Sequence, residues 1–141
     1  MTRRPDQLAL DLPHEPRFGV EDFLVSSSNE AAYELIGAWP RWPDPVLTLV
    51  GPSGSGKSHL AAIWAQRAGA RTLSAASLSL ADPPALAAAG AVLVEDGETI
   101  GGAEAALFHL LNLAREQRSS VLITAAAPPD RWGLTTRDLV S

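Results

Sequence analysis

The sequence predicts an α/β domain in three layers, a parallel sheet between two layers of helices. Three short apolar runs, Val46-Leu47-Thr48-Leu49-Val50, Ala91-Val92-Leu93-Val94 and Val121-Leu122-Ile123-Thr124, have the length and β-branched content of strands buried on both faces. Between the first and last of them lie segments with the spacing of amphipathic helices. Strands alternating with helices imply parallel pairing through right-handed crossovers.

Each element has a local reason. Residues 1–17 hold three prolines, mixed charges and one short apolar alternation, and read as a flexible arm ahead of a domain spanning 18–141. Phe23-Leu24-Val25 is a short extended piece. Ser26-Ser27-Ser28-Asn29 offers N-cap chemistry for a helix through Ala31, Tyr33, Leu35 and Ile36, which Pro40, Pro43 and Pro45 end. After Val46–Val50 comes a glycine loop, then a helix from about Gly56 to Ala68 with Leu60, Ile63 and Trp64 expected on its core face and Gly69 as its stop. Arg71-Thr72-Leu73-Ser74 is a weak strand candidate. Asp82-Pro83-Pro84 opens a short alanine-rich helix. Ala91–Val94 is the second clear strand, capped by Glu95-Asp96. Ala103 to Arg118 is amphipathic, with Leu107, Leu110, Leu111 and Ala114 on one face, and the third clear strand precedes Pro128-Pro129.

Composition narrows the class. The chain of 141 residues is long enough for one domain with a real core. Without cysteine there is neither a disulfide framework nor a thiolate metal site, in keeping with a reducing cytoplasm. The first residues lack the apolar stretch of a signal peptide, and no apolar run approaches the ~20 residues of a membrane span. Net charge is −5 with scattered arginines, so the footprint of direct nucleic-acid binding is missing.

Lys57 is the one lysine among eleven basic residues. It sits in Gly51-Pro52-Ser53-Gly54-Ser55-Gly56-Lys57-Ser58, which fits the G-x-x-x-x-G-K-[ST] phosphate loop. Glycines let the backbone turn tightly and present N–H groups, and the following helix adds the positive end of its dipole. A compact ammonium fits among phosphate oxygens as a planar guanidinium does not. Lys57 would reach the β- and γ-phosphates of ATP or ADP, Ser58 would hold Mg²⁺, and His59 closes the loop. A Gly/Ser linker is the plain alternative, but linkers do not sit between a buried strand and an amphipathic helix. A nucleotide machine also needs an acid at the end of a neighbouring strand. Glu95 and Asp96 stand in that setting, with Glu95 as the metal-facing carboxylate, and a solvated turn is the alternative. A strand between them and the phosphate loop in sequence matches nucleotidases with an inserted strand. Thr124, closing the third strand, is a candidate γ-phosphate sensor, although threonine is also an ordinary strand residue. The ensemble points to a P-loop NTPase.

Five segments in order carry a more specific resemblance: Phe23 to Ala32, the loop Gly51–Ser58 with His59-Leu60, Glu95-Asp96, Phe108-His109-Leu110-Leu111-Asn112, and Leu122-Ile123-Thr124 before Pro128-Pro129. From Asp22 onward the chain resembles the AAA+ module of the DnaA family of replication initiators. More closely it resembles the family's regulatory inactivators. The resemblance implies an AAA+ base domain. It also implies that Phe23, Leu24 and Val25 wall the adenine or serve as core. The arm separates the two branches: Gln7-Leu8-Ala9-Leu10-Asp11-Leu12 is similar to the Q-L-x-L-x-L peptide that docks on the β sliding clamp. An extended peptide would bury Leu8, Leu10 and Leu12 in a cleft while Gln7 makes polar contacts. An edge strand of the domain is the other reading of that alternation.

Three departures accompany the resemblance. The family shows Asp where Glu95 stands. Ala125-Ala126-Ala127 replaces a polar sensor segment. A C-terminal helical lid is lacking over 18–141, and Leu139-Val140-Ser141 matches the start of the segment bearing the trans-acting arginine, with Arg137 nearby but off the motif position. The resemblance implies a clamp-tethered, nucleotide-bound regulator that promotes hydrolysis of ATP on DnaA and meets DNA only indirectly. The residues alone also accommodate a free-standing P-loop ATPase or kinase, or a nucleotide-locked adaptor whose own ATP hydrolysis is weak or absent.

Overall fold

Continuous apolar runs and helices with a period of 3.6 settle into a five-stranded, all-parallel sheet flanked by helices on both faces. The computed structural model describes residues 24–26, 30–52 and 55–135. The expected clamp peptide at Gln7, Leu8, Leu10 and Leu12 lies outside the described residues. So do Phe23, Ser53, Gly54, Arg137 and Leu139–Ser141.

In chain order the elements are β1 (Leu24–Ser26), α1 (Glu30–Gly37), β2 (Val46–Val50), α2 (Lys57–Ala68), β3 (Arg71–Ser74), α3 (Pro83–Ala88), β4 (Ala91–Glu95), α4 (Glu104–Gln117) and β5 (Ser120–Ala125). Short 3₁₀ turns cover Ala75–Leu80, Gly97–Thr99, Gly101–Ala103 and Pro129–Arg131. The strands stand in the order β1-β2-β5-β4-β3. β5 is therefore inserted between the strand that feeds the phosphate loop and the strand that ends in the acids. Its register is Leu49 opposite Thr124 on one side and Val94 opposite Ile123 on the other.

Alternation along the strands sends side chains to two cores. Leu47, Leu49, Leu93 and Leu122 pack with Ala32 and Ile36 of α1 and with Leu60, Ala61 and Trp64 of α2. Val92, Val94, Val121 and Ile123 pack on the opposite face with Leu86 of α3 and with Leu107, Leu110, Leu111 and Ala114 of α4. Burying a side chain of this size contributes roughly 1.5–3 kcal/mol, so these two layers dominate the stabilising side. The amphipathic face expected for α4 is the one buried.

Ile63 departs from expectation: it is 52% exposed. The buried positions of α2 are Lys57, Leu60, Ala61 and Trp64. That is an i, i+3, i+4, i+7 stripe, and Ile63 falls off it. Gly69 ends α2 as expected, in the left-handed conformation at φ 67°, with the Ala70 N–H donating back to the Ala65 carbonyl at 2.9 Å. The first helix stops at Gly37, before the prolines expected to end it. Trp64 is then capped by Trp42, stacked at 5.3 Å, and by Trp39, edge-on at 6.1 Å. No helix among the described residues is long and apolar enough to cross a membrane.

Candidate functional site

The phosphate loop joins the end of β2 to the start of α2, as its sequence required. Gly51 is buried and donates its N–H to the Ala125 carbonyl at 3.1 Å, tying the loop's entrance to the end of β5. The Ser55 N–H reaches the Pro52 carbonyl at 3.1 Å, closing a turn. Gly56 is the N-cap of α2 at φ 91°, a left-handed conformation that glycine adopts without the Cβ penalty. Helical hydrogen bonding starts there, with the Leu60 N–H donating to the Gly56 carbonyl at 3.0 Å. The N-terminus of α2, the positive end of its dipole, is therefore set at the end of the glycine loop.

Lys57 is the unusual residue. It is 7% exposed, the one charged side chain buried among the described residues. An ammonium carries three donors. Among the described residues its one hydrogen bond goes to the Pro52 carbonyl, at 3.5 Å, the outer limit for such a bond. No carboxylate lies within ion-pair distance of it there. Buried charges are ordinarily paired, and among the described residues this one has no anionic partner. Ser58 and His59, next along α2, are exposed. Tyr33 of α1, which the motif did not indicate, brings its hydroxyl to 3.8 Å from where a Cβ on Gly56 would stand.

The sheet register brings the remaining candidates to the same end. Leu93 and Leu122 face α2, so two residues on Glu95 and Thr124 share that face at the strand ends. Thr124 is 3% exposed and lies opposite Leu49, two residues before Gly51. Glu95 is half-buried and is the last residue of β4, opposite Ser74, rather than a cap beyond it. Asp96 leaves the strand: its backbone is left-handed at φ 60°, ψ 56°, and its side chain is exposed. Aspartate tolerates that conformation better than most residues. The Thr99 N–H and hydroxyl hold the Asp96 carbonyl at 2.8 and 2.7 Å. The structure thus unites Lys57, Thr124 and Glu95 at one edge and sets Asp96 on the turn beside it.

A second set of residues supports this turn and has no signature in the motifs. The Glu98 carboxylate accepts the Ala126 N–H at 2.8 Å, just past β5. The Trp132 indole N–H donates to the Ala127 carbonyl at 2.7 Å, and its ring lies on Gly97. Glu104, at the start of α4, accepts the Thr135 N–H at 3.0 and 3.1 Å through its two oxygens. A Trp and two Glu in irregular chain give no periodic pattern; Gly97 beside the acids was the available cue.

A nucleotide and Mg²⁺ fit what is present. The buried, under-bonded Lys57 ammonium and the first turn of α2 suit a polyphosphate. Mg²⁺ binds through one or two protein oxygens, water and phosphates rather than a protein cage, and the Ser58 hydroxyl and Glu95 carboxylate are such oxygens. No cluster of three or more His, Cys, Asp or Glu able to hold a metal by itself occurs among the described residues.

These features define the class: an α/β domain of the P-loop type, with a strand inserted between the phosphate-loop strand and the acidic strand. Solved structures make the fold more particular. The chain is similar to AMPPCP-bound DnaA from Aquifex aeolicus at 21% identity and a TM-score of 0.59, covering 87% of this chain and 46% of that one. It is similar to the replication initiator DnaA bound to AMPPCP and single-stranded DNA at 21% identity and a TM-score of 0.61, with the same coverage. Domain III of Thermotoga maritima DnaA aligns at 19% identity and a TM-score of 0.51, covering 86% and 61%. The chain has the fold of the DnaA AAA+ domain and spans about half the length of the first two structures. No family model and no curated protein matches the sequence.

Proposed function

We propose that this chain is a nucleotide-binding regulator of replication initiation, tethered to the β sliding clamp and acting on DnaA in the manner of the regulatory inactivator Hda. The observation that carries the nucleotide part is Lys57, a cation buried at the start of α2 with one long hydrogen bond among the described residues. In this reading ADP or ATP lies with its phosphates along Gly51–Ser58. Lys57 neutralises the β- and γ-oxygens, and the N–H groups of α2 orient them. Mg²⁺ held by Ser58 and Glu95 supplies charge neutralisation between phosphate oxygens. Thr124 lies at the γ-phosphate end, and Asp96 stands where a water-orienting acid would. The two solved DnaA structures bound to AMPPCP support a nucleotide in this fold.

The clamp part rests on the alternation Gln7-Leu8-Ala9-Leu10-Asp11-Leu12. A peptide of this length on the clamp concentrates the domain beside clamp-loaded DNA without a basic DNA-binding surface, in keeping with the net charge of −5. Regulation then takes the form of promoting ATP hydrolysis on DnaA, with DNA reached through the clamp, in the cytoplasm. The deciding measurement is clamp binding by the intact chain beside a Gln7→Ala, Leu10→Ala double variant. The expected result is a loss of about tenfold or more, since burying one leucine is worth roughly 1.5–3 kcal/mol. Equal binding by the two proteins removes the clamp tether and with it the Hda-like reading. A nucleotide-binding domain with DnaA-type architecture would be what remains.

A further inference from the structure

We infer that Trp132, with Glu98, is a positioning residue of the nucleotide site: the segment after β5 holds the acidic turn that follows β4. This rests on the nucleotide-binding reading above and assigns work to residues that the phosphate-loop and acid motifs leave out. Four observations converge on residues 96–99. Asp96 sits in a left-handed backbone conformation, so the turn is specified rather than a relaxed continuation of the strand. Its carbonyl is held from within by Thr99. Glu98 reaches across to the Ala126 N–H at 2.8 Å. Trp132 closes over Gly97 so tightly that a Cβ there would stand 2.6 and 2.7 Å from two carbons of the indole ring.

The last point is specific. Gly97 has no left-handed φ to explain it; the ring above it does. Trp132 is 5% exposed and is fixed by its indole N–H on the Ala127 carbonyl. Glu104 then secures the far end of the same segment through the Thr135 N–H. The ring, the Glu98 carboxylate and the glycine hold the segment after β5 on the turn from which Glu95 and Asp96 are presented, while Glu104 ties its far end to the start of α4. Because Ala125 also accepts the N–H of Gly51, the phosphate loop and the acidic turn are referenced to the same end of β5. Displacing Trp132 from Gly97 would move Glu95 and Asp96 relative to a bound nucleotide, while Lys57 and the first turn of α2 stay where they are.

Positioning and mere packing give different results. The readout is the ratio of ATP-analogue affinity with Mg²⁺ to that in excess EDTA, using AMPPCP and the intact chain. Gly97→Ala drives a methyl group into the ring and is expected to cut that ratio about fivefold or more, which is about 1 kcal/mol at 1.4 kcal/mol per tenfold. Affinity in EDTA, which depends on Lys57 and the loop, should stay within about twofold, a change below the ~0.5 kcal/mol expected of a site not perturbed. Gly97→Ala combined with Trp132→Leu makes room for the methyl group and should recover much of the ratio. Glu98→Ala should lower it and Glu98→Gln, which keeps an acceptor oxygen for Ala126, should restore it. A lowered Tm with an unchanged Mg²⁺ ratio in Gly97→Ala and Glu98→Ala overturns the proposal. So does a double variant no better than Gly97→Ala, or a wild-type chain that shows no Mg²⁺ effect. Failure of wild-type to bind AMPPCP at all, with or without Mg²⁺, refutes the underlying nucleotide reading instead.

Discussion

Replacing Lys57 with methionine should make the nucleotide-free chain more stable and the nucleotide-saturated chain less so. Methionine keeps an unbranched stem of similar length and fills the same space without a charge. In the structure Lys57 is 7% exposed and its ammonium has, among the described residues, one hydrogen bond, at 3.5 Å. An under-satisfied buried polar group costs about 1–3 kcal/mol, more when charged. Removing it should therefore stabilise the empty chain by ~1–2 kcal/mol, which for a domain of this size raises Tm by roughly 3–8 °C. Wild-type regains more than this from its ligand. At a nucleotide concentration 100-fold above Kd the gain is about 2.7 kcal/mol. The variant, lacking a charge-assisted contact worth up to about 3 kcal/mol, should bind about 100-fold more weakly and gain only about 0.4 kcal/mol at the same concentration. Thermal melts with and without ADP and Mg²⁺ then cross: the variant melts higher alone, wild-type higher with ligand. A methionine variant that melts below wild-type without ligand, or gains as much from ADP, refutes the claim that Lys57 is a strained cation awaiting phosphate.

Arg67→Ala should lower the urea midpoint by the equivalent of about 1 kcal/mol without changing m. The reason is that Arg67 donates to the carbonyls of Gly37 and Trp39 at 3.0 and 3.1 Å and lies 5.8 Å from the Trp39 ring centre. Arg67→Lys should recover less than half, because a point charge cannot make the fork. Asp44→Ala should cost about 1–2 kcal/mol and Arg115→Ala less than ~1 kcal/mol. Asp44 both pairs with Arg115 at 3.3 Å and accepts the Val46 N–H at 2.8 Å. Denaturant titrations of the single and double variants measure the coupling, which 1 M salt should reduce; equal costs for the two single variants would deny Asp44 its second role.

The layers were legible because they are written in periodic patterns. β2, β4 and β5 are apolar runs between turn residues, and the buried stripe of α4 is Leu107, Leu110, Leu111 and Ala114, as its spacing implied. The place of the glycine loop between β2 and α2 was legible because the motif fixes residue types at fixed offsets after a strand and before a helix. Ile63 misled because hydrophobicity alone was weighed there; the stripe through Lys57, Leu60, Ala61 and Trp64 decides which side of α2 is inside. The position of β5 between β2 and β4 follows from pairing across more than seventy residues, which no local pattern records. The clamp of Trp132 on Gly97 escaped for the same reason: it joins two irregular turns thirty-five positions apart, each unremarkable by itself.

The strand order has a bearing on how the chain acquires its structure. β2 pairs with β1 and β5, and β4 pairs with β3 and β5; no ladder joins β2 to β4. Until β5 arrives, the earlier residues form two separate two-stranded ribbons, and isolated ribbons of that kind are marginal in water. The seam is closed by β5, which emerges after β1 to β4, and closing it requires contacts of high sequence separation, which form slowly. Lys57 and Glu95 belong to different halves of that seam. A nascent chain halted before Ser120 would hold both ends of the proposed nucleotide site without the strand that sets them side by side, so nucleotide capture, on the proposed reading, would report completion of the sheet.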